Sequence, residues 1–170
     1  MHIKKYQQGV GLVEVLVAML LLAIGVMGFA ALQVKAVGAT ADSQSRTQAM
    51  TVMRGLSERM RANPDAFDTY PALITTGATA LPTPVCSGAA NTCTPQQMAA
   101  YDAYMISNLA NQIGIKLSMS ACPSLQFSRQ CIYAAWNDTT PTKGTNTAKD
   151  CVDAQGRYNP ASSCLVLETY

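Results

Sequence analysis

The period of apolar and polar positions changes several times along the chain, and each change marks an element. From Val10 to Leu32 the side chains are apolar with a single charge, Glu14. About 20 such residues are enough for a helix to cross the hydrocarbon of a bilayer. From Gln33 the chain turns polar without a break, so the helix is predicted to run on to Ala62. In that second half Met50, Met53, Leu56 and Met60 recur at three- and four-residue steps, an apolar stripe that requires a cover. A sheet is the expected cover, with the methionines as core filler. Pro64 disfavours helical backbone at Asn63 and should stop the helix there.

Residues 65–93 are rich in Ala, Thr, Pro and Gly and read as a mostly irregular connection. Thr94, Pro95 and Gln97 then supply an N-cap, a first helical residue and a capping box. A short helix from about 95 to 113 follows, with Met98, Met105, Leu109 and Ile113 broadly on one side, Tyr101 and Tyr104 half-buried, and Gly114 ending it. Beyond it "IKLSM" at 115–119, "CIYAAW" at 131–136 and "CLVLETY" at 164–170 read as strands, with one more short strand between them. Residues 137–163 form a Thr-, Asn-, Gly- and Pro-rich loop, too long for a plain connection and therefore either functional or stapled.

The expected fold class is α+β: a long N-terminal helix, half membrane-spanning and half amphipathic, packed on a small antiparallel sheet with disulfide-tied loops. Four regions follow: 1–9, a leader; 10–32, the hydrophobic helix; 33–62, its amphipathic continuation; and 63–170, a globular head. At 170 residues the chain has material for one such unit.

Composition narrows the function. Charged residues are 13%, against about 25% in an average soluble domain. The net charge of +2 is local: without Lys4 and Lys5, the 12 Lys and Arg fall level with the 10 Asp and Glu. No basic patch remains to argue for nucleic acid. The single histidine, His2, lies in the leader, so the rest of the chain has no Ser-His-Asp set. There is no phosphate-cradling glycine loop and no clear acid pair, so no catalytic residue and no cofactor are expected. Asp150 and Asp153 fall short of the six to eight oxygens that calcium takes.

All 6 cysteines, at 86, 93, 122, 131, 151 and 164, lie beyond the apolar segment. An even count behind an export-like N-terminus reads as disulfides in an oxidising compartment. Zinc is disfavoured by the absence of a C-x-x-C knuckle and of histidine. Six cysteines allow 15 pairings; nearness in sequence favours Cys86 with Cys93, Cys122 with Cys131, and Cys151 with Cys164.

Several processing readings compete at the N-terminus. "GFAA" at 28–31 could serve a secretory signal, but the apolar core is then too long. A lipoprotein signal needs a cysteine at the cut, and none precedes Cys86. A plain anchor fits the length and the two lysines on the cytoplasmic side, yet gives Glu14 no task. The arrangement of Lys4, Lys5, Gly9, Val10 and Glu14 resembles the class III signal of type IV pilins and pseudopilins. The resemblance implies that a prepilin peptidase of the inner membrane cuts between Gly9 and Val10 and methylates the new amine of Val10. The freed amine and Glu14 then lie about 6 Å apart along the axis, and Glu14 can neutralise the amine of a neighbouring subunit, fixing register in a filament. Gly25 and Gly28, with Ala31, form a small-residue face for helix packing; alternatively they are glycines of the kind common in membrane spans.

Within that family Ile24, Gly25, Gly28, Ala30, Leu32 and Gln33 resemble the minor pilins called PilV, as do Trp136, Asn137 and Asp138. Val10 departs from the phenylalanine common at that position. The resemblance implies a subunit that enters a pilus in small numbers, held by the inner membrane with its head in the periplasm before assembly and exposed at the cell surface afterwards. Its implied partners are the prepilin peptidase, other minor and major pilins and a tip adhesin, and its implied processes are pilus assembly, twitching motility and adhesion. A minor pseudopilin of a type II secretion system and a membrane-anchored periplasmic binding module, with 137–163 as its recognition surface, are the alternatives.

Overall fold

In a computed structural model of the chain, residues 11–88, 92–123, 129–146 and 149–169 are described. Gly9 and Val10, and Tyr170 at the end of the last expected strand, lie outside them. The chain divides into two compact units, Met1–Ala41 and Asp42–Tyr170. Helix α1 spans Leu12–Ala62. Thr40, Thr47 and Thr51 each donate a side-chain hydrogen bond to the carbonyl four residues back, which satisfies hydroxyls on an otherwise weak helix former.

After Asn63 a 3-10 turn, Pro64–Thr69, leads into helix α2, Tyr70–Thr76. These elements occupy 65–76 of the stretch read as mostly irregular, and its described residues from 77 to 93 form no helix or strand. Ala66, Tyr70 and Ile74, four residues apart, are all buried, and that spacing is helical. Helix α3 is Pro95–Gln112. Its capping box is closed: Gln97 N–H donates to Thr94 Oγ1 at 3.3 Å and Thr94 N–H to Gln97 Oε1 at 2.9 Å.

Strands β1 (Lys116–Ala121), β2 (Gln130–Ala135) and β5 (Cys164–Glu168) form an antiparallel sheet with β2 central. Register pairs Met119 with Ile132 and Ile132 with Leu167. Strands β3 (Thr140–Lys143) and β4 (Asp150–Val152) form a separate parallel pair. The expected long loop at 137–163 is therefore partly built, with two short strands where one was expected.

The central strand explains its own composition. Side chains alternate between the faces of a strand, so Ile132, Ala134 and Trp136 enter one core while Cys131, Tyr133 and Ala135 enter another. The first core holds Val52, Met53, Leu56 and Met60 of α1. The second holds Cys151, Val152 and Cys164. A strand covered on both sides reads as a continuous apolar run, and "CIYAAW" is one. Met50 of the expected stripe is only half-buried, and Ala49 and Val52 are buried instead.

Helix α3 corrects a further expectation. Its buried face is Ala99, Asp102, Ala103, Ile106, Ser107 and Ala110, whereas Met105 and Leu109 are 40% and 47% exposed. Small alanines let the helix close on the 3-10 turn, α2 and β1, and Asp102 has partners only on that side. Tyr101 and Tyr104 are half-buried.

Candidate functional site

Two regions stand out: the apolar part of α1, which the chain leaves uncovered, and a set of hydrogen-bonded carboxylates in the head.

Glu14 sits in the first turn of α1, where the helix dipole favours negative charge. Its backbone N–H donates to Gly11 O at 2.9 Å, and its side chain is exposed. From Leu12 to Val37 the large apolar side chains are also exposed, among them Leu16, Leu20, Met27 and Leu32. The helix is long and apolar enough, by length and composition, to cross a membrane. A methyl added at Gly25 or Gly28 would meet no atom within 4 Å. Within the single chain nothing requires glycine at either position, so any demand for small residues there comes from outside the chain.

In the head, Asp102 is the hub of a polar network that the sequence reading missed. Arg59 Nη1 donates to Asp102 Oδ1 at 2.5 Å and Tyr70 Oη to Asp102 Oδ2 at 2.9 Å. Asn63 Nδ2 donates to Tyr70 Oη at 3.3 Å and to Pro95 O at 2.8 Å. The network joins the end of α1 to α2 and α3. Burial pushes the Tyr70 phenol up to about 12, and its bond to the Asp102 carboxylate pushes the same way. The available signal was one acid in a helix otherwise free of charge.

A second carboxylate, Asp42, accepts from Arg46 Nε at 2.8 Å and Trp136 Nε1 at 3.1 Å. The guanidinium also lies 5.7 Å from the Trp136 ring centroid, within cation–π range. The Arg46 hydrogen bond first, and then that of Trp136, hold the Asp42 carboxyl below its ordinary range.

The two acids weighed as calcium ligands each close a loop of their own. Asp150 accepts from Thr142 Oγ1 at 2.8 Å and Asn146 N–H at 2.9 Å. Asp153 accepts from the N–H groups of Gln155 and Arg157, and from Arg157 Nε at 2.8 Å. These bonds lower both carboxyls, the Thr142 hydroxyl leading for Asp150 and the Arg157 N–H for Asp153. Gly144 passes so close to Asp150 that a Cβ there would collide with the carboxylate.

Three disulfides join Cys86 to Cys93, Cys122 to Cys131 and Cys151 to Cys164. The last ties β4 to β5 across the second core. A cavity of about 410 Å³, lined by Ser57, Met60, Arg61, Pro64, Phe67 and Thr169, offers mainly apolar surface beside one guanidinium.

Comparison with known families adds two matches. Residues 4–30 match the prokaryotic N-terminal methylation motif, a span that takes in Gly9, Val10, Glu14, Gly25 and Gly28. Residues 31–104 match the type IV pilin Tt1218 model, described as Tt1218-like. The two matches abut, so together they run from residue 4 into α3. No curated protein and no solved structure matches the chain. The fold, a long helix packed on a small antiparallel sheet with disulfides, is consistent with a pilin fold. The matches support a pilin or pseudopilin subunit.

Proposed function

We propose that the chain is a minor pilin of the PilV type, a structural subunit acting in the initiation or the tip complex of a type IV pilus. The observation that carries the reading is the exposed apolar half of α1, with one acid in its first turn, inside a methylation motif. So long an apolar surface without a cover is unstable in water. A bilayer before assembly and neighbouring helices after it both remove that surface from water.

Cleavage between Gly9 and Val10 and methylation of Val10 prepare the helix for that exchange. Glu14 then accepts the amine of an adjacent subunit, converting two costly charges into one pair, while Gly25 and Gly28 admit the neighbour's helix. The head faces the periplasm before assembly and contacts other minor subunits and a tip adhesin afterwards. The similarity of Ile24, Gly25, Gly28, Ala30, Leu32 and Gln33 to PilV supports the minor-pilin assignment over a major one.

Mass spectrometry of the native N-terminus, from membranes and from sheared filaments, tests the reading. A methylated Val10 in both fractions is expected; an intact Met1 in the mature protein points to a permanent anchor and overturns it. Deleting the protein separates pilus from secretion filament: loss of twitching with normal exoprotein release is expected, and the reverse assigns it to a type II secretion system.

A further inference from the structure

Residues 11–41 carry two charges, Glu14 and Lys35. Both side chains are exposed, and neither has an ion-pair partner among the described residues. From Val15 to Val34 the only polar side chain is Gln33. At about 1.5 Å per residue, Glu14 and Lys35 are about 32 Å apart along α1. The hydrocarbon of a bilayer is about 30 Å thick. Each charge therefore falls where the hydrocarbon ends.

The apolar sequence does not end at Lys35. Ala36, Val37, Gly38 and Ala39 follow before Thr40, and Val37 is 70% exposed. Without the lysine the hydrocarbon boundary would have no fixed place between Gln33 and Thr40. An ammonium on a four-carbon stem reaches the headgroup layer while its stem stays on apolar surface, and there the complementary group is a phosphate.

We propose that Lys35 binds a lipid phosphate of the periplasmic headgroup layer and thereby sets the depth of α1 in the membrane before assembly. The inference rests on the reading of α1 as a membrane segment. Entry into a filament must then break this contact, so Lys35 opposes extraction as well as fixing depth.

The chain offers a direct test, because all six cysteines are in disulfides and no free thiol is present. A single Val37→Cys substitution in the full-length protein carries an environment-sensitive fluorophore in vesicles of phosphatidylethanolamine and phosphatidylglycerol. Iodide is expected to quench the label readily with Lys35 present. Lys35→Leu moves the boundary toward Thr40, about 7 Å along the helix, and is expected to cut iodide quenching at least threefold, with Lys35→Arg restoring it. Vesicles of a phosphate-free galactolipid are expected to lower quenching in the parent protein as well. Unchanged quenching in Lys35→Leu, or the same quenching with and without lipid phosphate, overturns the proposal. So does a depth that varies with protein-to-lipid ratio, because contact between copies rather than lipid phosphate then sets it. A label at Leu22→Cys reports separately on the premise: iodide access there removes the membrane segment itself.

Discussion

Asp102 and Tyr70 show how single side chains hold the head together. The carboxylate is almost fully buried and satisfied on both oxygens, by a half-exposed guanidinium and a buried phenol. Solvent screening keeps the ion-pair share small, so the larger loss in Asp102→Ala is a buried Tyr70 hydroxyl deprived of its acceptor. A cost of about 2–3 kcal/mol is expected in urea unfolding of the detergent-solubilised protein. Alkali tests the same contact. A free phenol ionises near 10, whereas Tyr70 does so at about 12. Between those values the unfolded chain gives up a proton that the folded chain keeps. The stability from this group is thus complete below pH 10 and is lost as pH rises through about 12. Tyr70→Phe should remove that part of the alkaline slope, measured as the pH dependence of the unfolding midpoint; an unchanged slope would place the phenol in contact with water.

Among the elements, α3 divides what pattern alone can reveal from what it cannot. Its N-terminus was legible because a capping box is local chemistry, written in Thr94 and Gln97. Its buried face was not, because the largest apolar side chains mark the core only when neighbours leave room for them. Here alanines pack inward and Met105 and Leu109 face out. Leu109→Gln should therefore change stability by less than about 0.5 kcal/mol, while Ile106→Ala should cost about 2–5 kcal/mol; equal costs would restore the face read from the sequence. The central strand was legible from its unbroken apolar run. The pair β3 and β4 was not, since Pro141 and short polar stretches carry no strand period, and the register depends on Asp150 bonding to Thr142 and Asn146. The disulfide between Cys151 and Cys164 holds that pair over the second core. Replacing both cysteines by serine should remove about 3 kcal/mol and raise hydrogen exchange first at β4, read residue by residue by mass spectrometry.

At the scale of the whole molecule the two units obey different physics. Asp42–Tyr170 has its own cores, caps and disulfides, so substitutions there are read as changes in stability. Residues 11–41 are all exposed, so substitutions there should leave the head's unfolding untouched and act on association. Glu14 is the sharpest case. A carboxylate at the edge of the hydrocarbon costs free energy in every state that leaves it unpaired, and α1 supplies no cation near it. Glu14→Ala should therefore leave membrane levels of the processed protein equal or higher. If a neighbour's amine is the missing partner, the same change removes an attraction from the assembled state, and each 1.4 kcal/mol lost lowers occupancy about tenfold. The ratio of protein in sheared filaments to protein in membranes should fall by about that factor or more. A ratio that stays constant would mean that the acid serves the membrane alone, and the register of the filament would have to be set by packing along Gly25 and Gly28.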